Sequence, residues 1–560
     1  MRYLLALLVV SALVWGETSI CGTEELLPIG FTEEELQRLD EIGLYSPEAT
    51  DPPPEGTRNP GEFEPATGVM VRWPLGVPYD LIVDFSNHSS VWAICTSGQQ
   101  SSVESAFTSA GVNMSNVGYI LAPTNSIWVR DYGPWFVVLP DGEVAIFDYI
   151  YNRPRPDDDQ IPWEIGNQWG LDVYASDIEH TGGNYMSAGW EQSMSTDLVY
   201  VENPQGQGWV DSQMEMYLGV TDYVTPEDPQ GSYIDHIDCW AKMLSPDRMM
   251  VLQVPPSHDD YAALEAAAEM MAQTPSPYGT NWKVYRVYSE GTEGYTNSLI
   301  TNQHVYMPSW NTSNDSPAVV AYEEALPGYE VGAYYYSGFS NTDALHCRTR
   351  NVMDLQMLTV WHVPVDSVQT ATQPVTIEAL IRPHSNNSLT DQTLYYRTGT
   401  SGPFTDLAMS SSGGDTYTAQ IPGQAVGTTV QYYVQASDDS GRQEESPRFA
   451  PNTWLHEYQT SETGVADQNQ IAVGAWLSDP APNPFNASVS LTLAMDQPGR
   501  AEAAVYDLSG RMVAQLASGD LNAGAHLLQW APGSSVPSGI YMVRITAAGR
   551  TATRRVTLLR

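Results

Sequence analysis

Two hydrophobic rhythms divide this chain. Between about Gly61 and Val363, short apolar runs such as Gly68 to Arg72 and Leu81 to Asp84 alternate with longer, helix-like segments such as the alanine-rich Tyr261 to Gln273. That alternation predicts an α/β domain over 61–365. Beyond Asp366 the period shortens to two. Val375 to Ile381, Leu394 to Arg397 and Val430 to Ala436 alternate apolar and polar positions between Ser, Gly and Asp clusters, which predicts a β-sandwich of immunoglobulin type over 366–460. A polar linker over 461–475 precedes a last small β-domain, 476–560, with strands around Ala504-Val505-Tyr506 and Ile540-Tyr541-Met542-Val543.

The N-terminus reads differently. Met1-Arg2-Tyr3 precedes a nearly continuous apolar run from Leu4 to Val14, the pattern of a secretory signal peptide over 1–20. The run falls short of the roughly 20 residues needed to span a bilayer. Residues 21–60 contain Asp51-Pro52-Pro53-Pro54-Glu55-Gly56, too rich in proline for regular structure, and read as a linker or pro-segment.

Composition narrows the partners. Sixty-seven acidic residues against 24 basic ones give a formal charge of −43, and only two residues, Lys242 and Lys283, are lysines. Such a chain repels nucleic acid and raises the local concentration of cations, although solubility in salt accounts for the charge equally well. Four cysteines in 560 residues exclude a disulfide scaffold for an exported chain. Cys95 sits in an apolar run and reads as a buried small hydrophobe. Cys239 follows Asp238 and is expected to point away from the face that carries His236 and Asp238. Cys347, in Asp343-Ala344-Leu345-His346-Cys347-Arg348-Thr349, is the candidate nucleophile.

Two upstream segments supply what a thiol nucleophile needs: Trp128-Val129-Arg130-Asp131-Tyr132-Gly133-Pro134, placed at a strand-to-turn junction, and Tyr233-Ile234-Asp235-His236-Ile237-Asp238-Cys239. A thiol hydrolase acting on a neutral amide needs one His and at most one orienting group. The second carboxylate points to a cation. Guanidinium is planar, always charged and carries five donors, so two carboxylates can hold its edges while its carbon faces the sulfur. Thr181-Gly182-Gly183-Asn184 and Gly294-Tyr295-Thr296-Asn297 are turns where glycine permits close backbone approach. In Tyr151-Asn152-Arg153-Pro154-Arg155-Pro156 the prolines hold the chain extended, so the two arginines fall on one side and can clamp a carboxylate or pair with Asp157, Asp158 and Asp159.

Residues 61–363 resemble the bacterial peptidyl-arginine deiminase and agmatine deiminase family, on the Trp-Val-Arg-Asp-Tyr-Gly-Pro, Gly-Gly-Asn, Asp-His-Ile-Asp, Thr-Asn and His-Cys-Arg-Thr motifs just quoted. The resemblance implies a five-bladed α/β propeller, the pentein fold. It implies Cys347 as nucleophile, His236 as general acid/base and Asp131 and Asp238 as guanidinium holders, with Asn297 a further site residue. Trp128, Tyr233, Gly182, Gly183 and Asn184 are implied to line the substrate site, and Arg153 and Arg155 to hold a C-terminal carboxylate. The final segment is similar to the sorting domain of type IX secretion cargo, on Asn483-Pro484-Phe485-Asn486, Tyr506-Asp507-Leu508-Ser509-Gly510-Arg511, Ser538-Gly539-Ile540-Tyr541 and the basic end.

The expected protein is thus a secreted or surface hydrolase, exported through the periplasm, that converts arginine in peptides or proteins, or a small guanidine, to the ureido product with loss of ammonia. Its partners are those substrates and the type IX machinery, with no nucleic acid. No His/Cys cluster has zinc spacing, so catalysis is expected to need no metal or cofactor; a structural calcium or sodium ion is compatible with the acidic loops. Agmatine deimination, a Cys-His-Asp peptidase and a non-catalytic adhesin are the alternatives.

Overall fold

The structure, a computed structural model, describes residues 26–462 and, of 475–559, all but 478–479, 481, 484, 496–498, 507–510, 523, 534–535 and 548–549. The expected signal peptide, Cys21, most of the 461–475 linker and the Asp507–Gly510 turn lie outside the described residues. The chain forms two compact units, Met1–Gly464 and Val465–Arg560.

Among the described residues between 58 and 353 the strands form five separate sheets. Four repeat one pattern: an antiparallel pair, a helix, then a strand parallel to the second of the pair. They are Trp135–Val138, Val144–Tyr151 and Val173–His180; Met186–Ser187, Gln192–Met194 and Asp222–Val224; Ala241–Ser245, Arg248–Gln253 and Lys283–Tyr288; and Leu299–Thr301, His304–Ser309 and Glu330–Tyr335. In the remaining sheet Ala66–Arg72, Ser90–Cys95 and Val117–Leu121 run parallel. Its antiparallel member, Arg350–Met353, arrives from the far end of the domain, so the chain closes on its own beginning.

Local sequence explains the pattern. In the Leu299–Ser309 hairpin the two-residue turn Asn302-Gln303 has Asn302 at φ 52, a left-handed conformation that asparagine tolerates and a tight hairpin requires. The helix Tyr261–Gln273 falls on the alanine-rich segment, burying Leu264, Ala267, Ala268 and Met271. Leu81–Asp84, grouped above with the short apolar runs, belongs instead to the helix Tyr79–His88. Leu81, Ile82 and Phe85 are spaced for one helical face and are fully buried, and that spacing outweighs the brevity of the run.

After the five sheets, Thr359–Trp361, Val375–Arg382, Thr416–Ile421 and Ser410–Gly413 form one sheet. Val368–Thr370, His456–Ser461, Thr429–Asp438, Leu389–Thr398 and Thr405–Ala408 form another, with Gln443–Ser446 on Thr429–Asp438. Ile377, Ile381, Leu394, Ile421, Val430, Tyr432 and Val434 from both sheets share one apolar core. The period-two segments fall within these strands. Thr359–Trp361 pairs with Val375–Arg382, so this layer begins some residues before 366. The second unit has two sheets, Ala475–Leu477, Val489–Met495 and Gly524–Trp530, and Met512–Leu521, Gly499–Tyr506, Gly539–Ala547 and Arg550–Leu558, around Leu491, Val505, Trp530, Tyr541 and Val556.

Candidate active site

All five sequence motifs occupy one structural position, the turn just before the first strand of a hairpin or, for Cys347, before the strand that closes the first sheet. Asp131 lies on the single helical turn Val129–Tyr132, ahead of Trp135–Val138. Gly182–Asn184 is a 3-10 turn ahead of Met186–Ser187, and His236 with Ile237–Cys239 leads into Ala241–Ser245. Asn297 precedes Leu299–Thr301, and His346–Arg348 carries Cys347 in front of Arg350–Met353. Five separate sheets therefore deliver their leading turns to one place.

Two local expectations are corrected. Arg130-Asp131 lies in a helical turn, with Gly133-Pro134 beyond it, and not at the end of a strand. His236 and Asp238 do not share a face of an extended segment: Asp235 is left-handed at φ 55, His236 is extended and Ile237–Cys239 form a 3-10 turn. The cause is Asn184, whose Oδ1 accepts from the N–H groups of Ile237 (3.1 Å) and Thr196 (2.9 Å), while Thr196 Oγ1 donates to the Asp235 carbonyl at 2.6 Å. These bonds replace strand pairing. Cys239 consequently does not turn away: its Sγ lies 3.4 Å from Thr342 O, the carbonyl that Cys347 Sγ approaches at 4.0 Å.

Gly183 marks where the groups meet. A Cβ there would fall 2.6 Å from Asp131 Oδ1, 2.7 Å from His236 Nδ1 and 3.3 Å from Asp238 Oδ2, so a side chain at 183 would fill the space between them. The Gly183 N–H donates to Asp131 Oδ1 at 3.1 Å. At Gly182 a Cβ would strike Arg130 O at 2.1 Å. Cys347 Sγ lies 3.6 Å from Asp238 Oδ2 and receives the Asn297 Nδ2 donor at 3.2 Å. Asn297 Oδ1 in turn accepts from the N–H groups of Ala344, His346 and Cys347 at 3.1, 2.9 and 3.3 Å, which fixes the turn that carries the thiol. Among the described residues Asp131 Oδ2 and both ring nitrogens of His236 have no hydrogen-bond partner, and His236 Nδ1 stands 3.8 Å from Asp131 Oδ1. Buried polar atoms left so are costly, and here they belong to two side chains that meet at Gly183.

Burial sets the charge states. It pushes Asp131 up to about 7, with the neighbouring Asp238 charge adding to it, and holds His236 down to about 4. It pushes the Cys347 thiol well above its ordinary range, reinforced by Asp238 and Asp131. Asp238 feels the same burial, but the hydrogen bond from His346 Nδ1 (2.7 Å) and the nearby cations hold it below the usual carboxylate range. The resting site therefore has a protonated thiol and a neutral imidazole. A cation between the carboxylates would lower the thiol.

The sequence reasoning did not find the charged hub behind the site. Largely buried Glu62 forms an ion pair with Arg130 Nη2 (2.7 Å) and accepts from His346 Nε2 (2.9 Å), the Ile300 N–H (2.9 Å) and Lys242 Nζ. His346 thereby links Glu62 to Asp238. One signal was available: Lys242, one of only two lysines, lies between apolar Ala241 and Met243. Away from the site, His88, His304 and Glu330 bring donor atoms within 4.8 Å of one another, the spacing of a metal cluster.

Arg153 and Arg155 reach one segment together, but that segment is the chain's own residues 27–35 and not Asp157–Asp159. Arg155 Nε and Nη2 donate to the two Glu35 carboxylate oxygens at 2.7 and 3.2 Å, and Nη2 also reaches Pro28 O (2.7 Å) and Gly30 O (3.0 Å). Arg153 Nε donates to Ile29 O at 3.1 Å and its guanidinium lies 4.4 Å from the Phe31 ring centre. Trp128 Nε1 donates to Leu27 O at 3.0 Å. Tyr233, 66% exposed, stands beside Gly30.

The five sheets and their arrangement define a mixed α/β fold of the deiminase kind. Residues 58–352, more than half of the chain, match the Porphyromonas-type peptidyl-arginine deiminase family, and the chain belongs to that family, whose members are hydrolases of guanidino C–N bonds. Residues 481–558 match a secretion-system C-terminal sorting domain, which directs the protein through type IX export to the cell surface or outside. A provisionally assigned agmatine deiminase of Lactococcus lactis is 22% identical over 357 residues, 54% of this chain and 96% of its own length. Another, of Vibrio parahaemolyticus, is 22% identical over 338 residues, 50% and 92%. A solved structure of a provisionally assigned agmatine deiminase superposes with a TM-score of 0.51 at 18% identity, over 55% of this chain and 99% of that one. Deiminases of this family generally work without a cofactor.

Proposed function

We propose that the protein deiminates a C-terminal arginine of peptides outside the cell, giving citrulline and ammonia. The observation that carries this reading is the convergence at Gly183 of Asp131, His236 and Asp238, with the Cys347 thiol beside Asp238. Asp131 and Asp238 hold the guanidinium nitrogens. The Cys347 thiol, oriented by Asn297, passes its proton to the neutral His236 imidazole as the cation binds, and the sulfur attacks the central carbon. The C–N bond then breaks and ammonia leaves with a proton supplied by the His236 imidazolium, while a thiouronium remains on Cys347. His236 next takes a proton from water, whose oxygen attacks the same carbon and expels the thiolate. Gly182 and Gly183 give room, Asn184 fastens the turn of His236, and Trp128 and Tyr233 border the entrance.

In this reading the five sheets are the blades of a propeller, the layer from about Leu358 to 460 is an immunoglobulin-like sandwich, 461–475 is a linker and 476–560 is the sorting domain. Acidic loops could take a structural calcium or sodium ion without a part in the chemistry. Arg153 and Arg155 serve the substrate carboxylate. A second reading, deimination of a small guanidine, is favoured by the engagement of both arginines with residues 28–35. Citrulline-forming turnover of a peptide ending in arginine, the same peptide amidated, and agmatine separates the two, with Cys347→Ala as the inactive control. The clamp requires kcat/KM for the free carboxylate to exceed that for the amide by at least about tenfold. Agmatine as the best substrate would remove the clamp and keep the chemistry.

A further inference from the structure

Cys347, His236, Asp238 and Asn297 are all 0% exposed and Asp131 is 1% exposed. An arginine side chain cannot reach such a site until something moves. Arg153, whose charge reaches Asp131 and His236, is engaged by a segment that lies outside the family-matched region, which begins at residue 58. Four successive carbonyls, of Leu27, Pro28, Ile29 and Gly30, accept from Trp128, Arg155 and Arg153. Ile29 is 1% exposed and belongs to the apolar cluster that holds Trp128, Tyr151, Ile234 and Cys347. Gly30 approaches the Tyr233 ring so closely that a Cβ would fall 2.9 Å from it. The Glu35 carboxylate meets Arg155 through two nitrogens, with Thr32 bracing it through Thr32 N→Glu35 Oε2 (2.8 Å) and Glu35 N→Thr32 Oγ1 (3.1 Å). These are the contacts a bound peptide with a carboxylate would make.

We propose that residues 27–35 are an intramolecular occupant of the substrate cleft, with Glu35 holding the place of the substrate carboxylate on Arg155, so that the chain is latent until this segment is released. The proposal rests on the assignment of Arg153 and Arg155 to the substrate carboxylate, and it adds the occupant. Beyond the segment the chain runs through Asp51, Pro52, Pro54, Glu55 and Gly56, all exposed, where a cut would leave residues 26–50 held by non-covalent contacts alone, among them Thr50 to Ala175 and Tyr217 and Ser46 to Asp159. Competition between the segment and substrate lowers the apparent affinity by the fraction of chains that are open.

The test uses the full chain with a specific protease site introduced between Asp51 and Gly56, compared uncut, cut and as the uncut Glu35→Ala variant. Two rates are read at one pH: alkylation of Cys347 by iodoacetamide, followed on its own peptide by mass spectrometry, and citrulline release from a peptide ending in arginine. Cutting with loss of the segment, and Glu35→Ala without cutting, should each raise both rates by about tenfold or more, the weight of a charge-assisted pair. A synthetic peptide of residues 26–46 should restore the low rates in competition with substrate. Equal alkylation of Cys347 in the uncut, cut and Glu35→Ala chains overturns the proposal. Faster alkylation with no citrulline from any form upholds the occlusion and overturns the C-terminal arginine reading.

Discussion

Replacing Gly183 with alanine tests the geometry of the site most directly. Its φ does not lie in the left-handed region, so alanine fits the backbone and the whole effect comes from one methyl group. That methyl would sit 2.6 Å from Asp131 Oδ1 and 2.7 Å from His236 Nδ1, against an ordinary contact of 3.4 Å. The two groups must retreat by 0.8 and 0.7 Å, and both are buried with no solvent to retreat into. A displacement of about 1 Å in reacting groups costs on the order of 100-fold, or about 2.7 kcal/mol of transition-state stabilisation. We expect kcat/KM for citrulline release to fall by about that factor. Overpacking should cost about 1–3 kcal/mol of stability, leaving the chain folded, which a thermal melt checks. Gly208→Ala is the control, since nothing lies within 4 Å of its Cβ position. A Gly183→Ala enzyme that keeps a third of the parent kcat/KM would refute the convergence on which the assignment of roles depends.

Glu62→Gln should destabilise the protein by about 3–5 kcal/mol, because Arg130 and Lys242 lose their buried counter-charge; a denaturation midpoint displaced by less than about 1 kcal/mol would remove Glu62 as the hub, and adding Lys242→Met should recover part of the loss. His362 lies between Glu378 O (2.6 Å) and Tyr432 OH (2.9 Å), and burial lowers it to about 4 from 6.5. Because its folded value is depressed, the unfolded chain binds more protons between those values, so this stabilisation is complete above pH 6.5 and is lost as pH falls toward 4. The loss is about 1.4 kcal/mol at pH 5.5, and His362→Gln should flatten the acid side of the melting profile; an unchanged slope contradicts it. Deleting residues 481–558 should leave the chain in the periplasm of a bacterium with type IX export, and surface delivery of the deleted chain, seen by protease shaving, would contradict a sorting role for that domain.

The sequence revealed periodic features better than geometric ones. The Tyr261–Gln273 helix and the strands over Val375–Ile381 and Val430–Ala436 were legible because side-chain spacing reports directly on burial. The site residues were legible as motifs, yet their local form was misjudged. His236 and Asp238 converge because Asn184 and Thr196 capture the backbone around them into a 3-10 turn, and those partners lie some 40 to 50 residues upstream. Glu62 was illegible for the same reason: its partners Arg130, Lys242 and His346 are brought to it by separate sheets. Arg153 and Arg155 were read as a pair, but nothing in Asn-Arg-Pro-Arg names Glu35 as the carboxylate Arg155 meets or Ile29 as the carbonyl Arg153 meets.

The resting charge states explain why such a site would choose guanidinium over a neutral amide. Alone, the site is poorly armed: the thiol is protonated, His236 is neutral and Asp131 is raised to about 7. A cation about 4 Å from each of these groups is worth on the order of 4 kcal/mol at the effective dielectric near protein charges, about three pKa units. One guanidinium would therefore hold Asp131 ionised and move the thiol toward its thiolate. A peptide amide in the same place carries no charge and would leave the sulfur protonated, which is how a Cys-His-Asp constellation can sit inside a secreted protein without acting as a peptidase. Glu35 pairs with Arg155 and brings no cation to the thiol, so the proposed occupant would leave Cys347 protonated as well as out of reach.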